Sequence, residues 1–269
     1  MSEIKVPLYP KLVASDIGGT LAHGNNPIPF FSASVLDRLV EQKIPTALIT
    51  GYNYTSALHY TQFIKPGILL LPQNGTLCIK DRSTIWEYRI PAPGARELCH
   101  YLQKNKFPIV VYKGENAHFV NYYIFDTGLP LSDAFRRVEA LDDFEDITGI
   151  STLLPDDTAR AVRKDIEAVV GNRFKVIYTR EKKGSWLEVV HVDVRKDLAI
   201  KRLCDEFSIS LEEVVYFGDN MNDLEALRIV GHPVIVGNAQ EELKQEFSRV
   251  VRPVHEEGAA HYLNELFGF

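Results

Sequence analysis

Val13-Ala14-Ser15-Asp16-Ile17-Gly18-Gly19-Thr20-Leu21 carries an apolar strand into a glycine-bearing turn, with a carboxylate at the strand end and a hydroxyl four residues later. In a parallel α/β sheet the carboxyl ends of the strands face the ligand crevice. Glycines there let backbone N–H groups turn toward an anion. An ordinary strand-to-loop transition would also present an aspartate at this place, and a second stretch weighs against that. Val214-Val215-Tyr216-Phe217-Gly218-Asp219-Asn220-Met221-Asn222-Asp223 repeats the plan, an apolar run ending in acids, followed by helix-like Leu224 to Val230. Strands delivering Asp16 and Asp219 to one sheet edge would form an all-oxygen site, which suits magnesium and a substrate phosphate. Ile44 to Ile49 is a third buried-strand candidate ending at Thr50-Gly51, and Lys196 offers a mobile positive charge.

The order of these elements is specific. Asp16-x-x-Gly19-Thr20-Leu21, a strand ending in Thr50-Gly51, a late lysine, and Gly218-Asp219-x-x-Asn222-Asp223 together resemble the haloacid-dehalogenase-like hydrolase superfamily, in its Cof-like phosphatase branch. Asn74-Gly75, Val236-Gly237-Asn238-Ala239 and Glu257-Gly258 resemble that branch too, so the likeness spans nearly the whole chain. It implies a three-layer, Rossmann-like α/β core with a parallel sheet and a large inserted α/β cap. The expected division is 1–90 for the first core segment, 91–188 for the cap and 189–269 for the second core segment.

The resemblance also implies chemistry. Asp16 would attack phosphorus in line, forming an aspartyl-phosphate and splitting one hard displacement into two. Magnesium would be held by Asp16, Asp219 and the backbone carbonyl of Gly18, with Asp223 binding through water or orienting the other ligands. Thr50, Gly51, Lys196 and Asn222 would hold the phosphoryl oxygens. The expected reaction is hydrolysis of a small phosphate monoester, such as a sugar phosphate, on a phosphorylated metabolite.

Composition permits this and adds limits. The 269 residues allow one large core and a substantial second module, with 45% hydrophobic content. The 36 acids and 30 bases give a net charge of -6 without a long block of either sign, which argues against a nucleic-acid partner. A local lysine and a metal can still reverse the field inside an acidic protein. No apolar run is long enough to span a membrane. Met1 to Pro10 lacks a signal-peptide core, so a cytoplasmic location is expected. Cys78, Cys99 and Cys204 have no metal or redox spacing and read as reduced packing residues. The eight histidines do not cluster.

Along the chain, Lys11 to Ser15 reads as the first core strand and Ser32 or Ser34 as the start of a helix with Val35, Leu36, Leu39 and Val40 on its apolar stripe. Pro91-Ala92-Pro93-Gly94 is the strongest boundary signal. Beyond it the expected elements are a helix over Ala95–Lys104, strands over Phe107–Lys113 and Asn116–Phe125, and a helix over Leu131–Val138. A short strand at Ser151–Leu154, an amphipathic helix over Asp157–Val170 and antiparallel strands over Phe174–Thr179 and Ser185–Val190 follow. Tyr122, Tyr123 and Phe125 are expected to pack or line the cap.

Three positions depart from the resembled pattern. Tyr52 follows Thr50-Gly51 where an arginine is usual, and Asp197 follows Lys196 where a glycine is typical. Gly18 stands where most relatives carry a second aspartate that protonates the leaving oxygen and then activates water. General acid–base help is worth roughly 10²–10⁴ in rate, so either another group serves, with Glu115, His118 and Asp126 as candidates, or the protein binds a phosphate ligand with metal and turns over weakly or not at all. The phosphonate-cleaving relatives also lack that aspartate, but their scheme needs a lysine imine, for which only Lys113 offers itself, and the large cap of this chain resembles the Cof-like branch instead. If only the acid is missing, Gly18→Asp should raise turnover of alkyl esters more than of aryl esters.

Overall fold

The computed structural model describes residues 9–120, 135–137, 143–181 and 184–269. They divide into two compact units. The first runs up to Tyr52, resumes over Ser56–Thr84 and ends with Arg195–Phe269; the second holds Asn53–Thr55 and Ile85–Val194. The crossings fall at 84/85 and 194/195, whereas the sequence reading draws its lines at 90/91 and 188/189.

The first unit is built on strands β1 (Leu12–Ser15), β2 (Thr46–Ile49) and β3 (Leu69–Leu71), extended by β4 (Leu77–Lys80); β5 (Ser83–Glu87) follows on the same sheet and spans the 84/85 crossing. The second unit contributes β6 (Ile109–Lys113), β7 (Asn116–Val120), β8 (Phe135–Arg137), β9 (Gly149–Leu154), β10 (Phe174–Glu181) and β11 (Gly184–His191). Strands β12 (Val214–Gly218), β13 (His232–Val236) and β14 (Val250–Val251) return to the first. The helices are α1 (Phe30–Glu41), α2 (Tyr54–Thr61), α3 (Ala92–Lys104), α4 (Asp156–Val170), α5 (Lys196–Phe207), α6 (Leu224–Ile229), α7 (Glu241–Glu246) and α8 (Gly258–Phe267).

The core sheet has the order β14-β13-β12-β1-β2-β3-β4-β5. Pairing is parallel from β14 to β3, and β4 turns back antiparallel on β3. Every residue of β1, β2, β3 and β12 is buried, which is why these strands read as unbroken apolar runs instead of alternating ones. The chain steps one way across the sheet from β1 through α1 to β2, and the other way from β12 through α6 to β13. Right-handed crossovers therefore set α1 and α6 on opposite faces. Helix α8 packs on α1 and α5 on α6, completing three layers. Leu36 and Leu39 of α1 are sealed from water, each worth about 1.5–3 kcal/mol of burial.

Helix α1 starts at Phe30 after Pro29, not at Ser32 or Ser34. The Ser32 hydroxyl and N–H are instead both spent on Glu257 Oε2, at 2.7 and 2.9 Å, tying α1 to the start of α8. The cysteines are all buried and free, as packing residues.

The second unit is a sheet of order β10-β11-β9-β6-β7-β8, antiparallel except where β8 runs parallel to β7. Its core gathers Leu98, Leu102, Val111, Ile150, Ile166, Leu187 and Val189. The helix expected over Leu131–Val138 is not found at residues 135–137, which form β8 in register Ala117↔Phe135 and Phe119↔Arg137. An open ladder edge on β7 outweighs local helix preference there. Residues 131–134 and 138 lie outside the described residues, as do Tyr122, Tyr123, Phe125 and Asp126.

Candidate active site

Strand register brings the predicted residues to one edge. Ser15 pairs with Phe217 on β12 and with Leu48 on β2, so Asp16, Asp219 and Thr50 all leave neighbouring strands at their carboxyl ends. The Asp16 N–H donates to the Phe217 carbonyl at 2.9 Å, fixing its backbone. The turn after β1 closes tightly, the carbonyl of Ile17 accepting from the N–H groups of Leu21 and Ala22 at 2.9 and 2.8 Å. Gly19 has a φ of +82°, and a Cβ there would collide with the Asp219 carboxylate. No other residue fits that place without strain.

Lys196 is the first residue of α5 and only 3% exposed. Its Nζ donates to Asp16 Oδ1 at 2.6 Å and to Asp223 Oδ1 at 2.7 Å. A cation at a helix N-terminus opposes the helix dipole; the two carboxylates offset that cost. Asp197, in the place of the more usual glycine, binds the Arg195 guanidinium at 2.9 and 2.8 Å.

Asp223 has few lone pairs left. Its Oδ1 also accepts the Tyr216 hydroxyl at 2.6 Å, and its Oδ2 accepts the N–H groups of Asp219 and Asn220, both at 3.1 Å. It therefore orients Lys196 and the strand end. Asp219 accepts only the Thr20 hydroxyl among the described side chains, at 3.1 Å. Asn238 Nδ2 donates to the Gly19 carbonyl at 2.8 Å while its Oδ1 accepts the Val254 N–H at 2.7 Å, lashing the turn to the C-terminal segment.

Burial pushes the Asp16 carboxyl up to about 7, with Lys196 pulling down and Asp223 and Asp219 pushing up. Burial, then Asp223, pushes Asp219 up to about 6. Burial works against the Lys196 ammonium, but Asp16 and Asp223 outweigh it and keep it charged. Asp16, Asp219 and Asp223 bring ligand oxygens within 4.8 Å of one another. Three carboxylates around one ammonium are short of positive charge, and the all-oxygen donor set fits a small hard divalent cation.

Thr50 is buried at the end of β2, where its Oγ1 accepts the Tyr52 N–H at 3.2 Å and its carbonyl accepts the Asn74 N–H at 2.7 Å. Asn74, at φ +58°, turns its carboxamide toward Gly51, and its buried Oδ1 has no partner. Asn222 is exposed on the turn beyond β12, next in the chain to Asp223. Glu115, His118 and Lys113 belong to the second unit, where Lys113 binds Asp143 at 2.6 Å.

Sequence reasoning missed Tyr216. A tyrosine inside a fully buried strand must bring its hydroxyl to a partner, and that was the available signal. It also treated Tyr52 only as an absent arginine. In the structure the Tyr52 phenol fills the space beside Gly18: a Cβ on Gly18 would lie 2.7 Å from the Tyr52 hydroxyl oxygen and 3.0 Å from Cε2.

Residues 13–263 match the haloacid dehalogenase-like hydrolase family. The chain is 26% identical to a putative phosphatase of Haemophilus influenzae, over 96% of this chain and 98% of that one. It is 22% identical to a 5-amino-6-(5-phospho-D-ribitylamino)uracil phosphatase of Bacillus subtilis, again over 96% and 98%. A haloacid dehalogenase-like hydrolase from Bacteroides thetaiotaomicron superposes with a TM-score of 0.80 at 22% identity, covering 96% of this chain and 100% of that one, and so shares the fold. A family match over nearly the whole length, on a fold that brings Asp16, Lys196 and Asp219 to one sheet edge, leaves one assignment: the chain belongs to the haloacid dehalogenase-like hydrolase family.

Proposed function

We infer that the protein is a magnesium-dependent phosphatase that hydrolyses a small phosphate monoester, such as a sugar phosphate, through an aspartyl-phosphate on Asp16. The observation that carries this reading is the buried Asp16–Lys196–Asp223 bridge beside Asp219, at the carboxyl ends of adjacent parallel strands. Phosphatases among the similar chains support it, one of them named for a phosphoribityl substrate.

Asp16, Asp219 and the Gly18 carbonyl would hold the magnesium, with Asp223 reaching it only through water. Bound there, it neutralises phosphoryl oxygens and favours ionised Asp16. Asp16 attacks phosphorus in line, the ester bond breaks, and water then releases inorganic phosphate from the aspartyl ester. Lys196 and the Thr50 hydroxyl hold the phosphoryl oxygens as charge spreads over them, and the Gly51 backbone lets them approach. Asp223 keeps the ammonium aimed.

Calorimetric titration with beryllium fluoride tests the site. Binding is expected to need magnesium and to be lost in Asp219→Asn. Equal binding with and without magnesium, unaffected by that substitution, would remove the assignment. A second reading, a metal-dependent phosphate-ligand binder without turnover, draws on Gly18, which has no side chain to carry a proton. Phosphate release by the wild type compared with Asp16→Asn, over a broad ester panel, separates the two: no difference favours the binder.

A further inference from the structure

The place beside Gly18 is not empty. Tyr52 follows β2 by a short turn and leans across to the turn after β1, so its phenol occupies the volume where a side chain on residue 18 would begin. Its oxygen is the nearest atom to that position at 2.7 Å, ahead of Cε2 at 3.0 Å and Cζ at 3.1 Å. The ring is held from behind by Tyr60, stacked at 4.7 Å and 16° and itself buried. The Tyr60 hydroxyl is anchored on the Gly24 carbonyl at 3.2 Å. The backbone is pinned on both sides, the Tyr52 N–H donating to Thr50 Oγ1 at 3.2 Å and its carbonyl accepting the Gln73 N–H at 2.8 Å.

We propose that Tyr52 is the proton carrier of this active site, donating to the leaving-group oxygen from the place that Gly18 leaves open. The assignment rests on the phosphatase reading. In the first step a bond forms between an Asp16 oxygen and phosphorus, the phosphorus–alkoxy bond breaks, and the departing alkoxide takes the Tyr52 phenolic proton. In the second, water attacks the aspartyl-phosphate, the bond to Asp16 breaks, and the water's proton returns to the phenolate. A phenol, with an ordinary pKa near 10, is a stronger acid than an alcohol and can protonate a departing alkoxide. A phenolate leaving group needs that help far less.

The two positions are therefore in contact: with Tyr52 where it stands, a Cβ at residue 18 would meet its phenol at 2.7 Å, and one of the two would have to shift. Three observations support a catalytic and not merely space-filling ring. The oxygen leads the ring into the gap, the ring is stacked and pinned, and Thr50, which would hold the phosphoryl group, accepts the same residue's N–H.

The test is Tyr52→Phe, which keeps the stacking ring, measured in full-length protein with magnesium on an alkyl phosphate and on p-nitrophenyl phosphate. The expected loss in kcat is about 10²-fold for the alkyl ester and at least tenfold smaller for the aryl ester, with magnesium-dependent beryllium fluoride binding and the thermal midpoint close to wild type. Equal losses on both esters, or none on either, would overturn the assignment while leaving the phosphatase reading intact. A wild type no faster than Asp16→Asn on every ester would overturn both. If Tyr52→Phe unfolds, Tyr52→Leu with Gly18→Asp supplies the second measurement: recovery on the alkyl ester supports a shared proton position, and activity below that of Tyr52→Leu alone counts against it.

Discussion

Gly18 has a consequence opposite to the one its sequence suggests. Read alone, it is a missing acid, and Gly18→Asp ought to repair it. With the Tyr52 ring 2.7–3.1 Å from the new Cβ, the substitution overpacks a pinned contact, which costs typically 1–3 kcal/mol. Gly18→Asp is therefore expected to lower the urea midpoint and to slow every ester, alkyl and aryl alike. A selective gain on alkyl esters would show that Tyr52 swings aside freely. The placement of Asp16, Thr50 and Asp219 at strand ends was legible because the apolar pattern of each strand marks its end in one dimension, whereas Lys196 was singled out among several lysines by the family resemblance. The Gly18–Tyr52 fit was not, because two loops from adjacent strands meet there and no linear spacing encodes how a ring leans between them. Tyr216 was hidden in the same way, since its strand is buried on both faces and alternation says nothing about where the hydroxyl goes.

Among the elements, α4 shows how a helix start can govern a module's acid sensitivity. Asp156 opens the helix and accepts the Ser185 hydroxyl at 2.6 Å and the Tyr178 hydroxyl, so one carboxylate ties α4 to both strands of the β10–β11 hairpin. Those bonds, the one from Ser185 foremost, hold the carboxyl down at about 2 against an ordinary 3.8. A folded-state value below the unfolded one gives stability that is full above about pH 4 and fades as the pH falls toward 2. Asp156→Asn should accordingly melt earlier than wild type at neutral pH, with the gap closing below pH 4. A gap independent of pH in thermal melts would detach the effect from this carboxylate. Helix α4 itself was legible from its period, and its start is off by one residue. The strand at 135–137 was not, since pairing with β7 is a decision of the ladder and not of the local residues.

For the whole molecule, the chain's division into two compact units predicts separable folding. Each has its own sheet and its own buried cluster. Strand β5 must stay with the core sheet it edges. Excising residues 89–193 and closing the gap with a short Gly/Ser linker should leave a protein with the far-ultraviolet circular dichroism of a mixed α/β core and magnesium-dependent beryllium fluoride binding. Loss of helical signal with every linker length tried would contradict independent units. At this scale the sequence was informative about the parallel core, because doubly buried strands advertise themselves, and less so about the joints, where a boundary-spanning strand belongs to one sheet while its neighbours in sequence turn to another.

The pairing of β1 with both β2 and β12 also sets a timetable. As the chain leaves the ribosome, β1 can find β2 almost at once, but its other flank waits for residue 214, long after the second unit has been made. Asp16 and Lys196 are separated by 180 positions, so the buried carboxylate meets its ammonium only in the closing stage of synthesis. Until then the nascent core carries an unpaired strand edge on β1, whose residues are all buried in the finished sheet, the kind of surface that invites strand addition from other chains. The residues from 85 to 194, folding in that interval, are finished before the part that encloses them in sequence. Crowded translation of this gene product should thus be most aggregation-prone in the window before β12 emerges, and the Asp16–Lys196 pair would appear together with the strand that ends the danger.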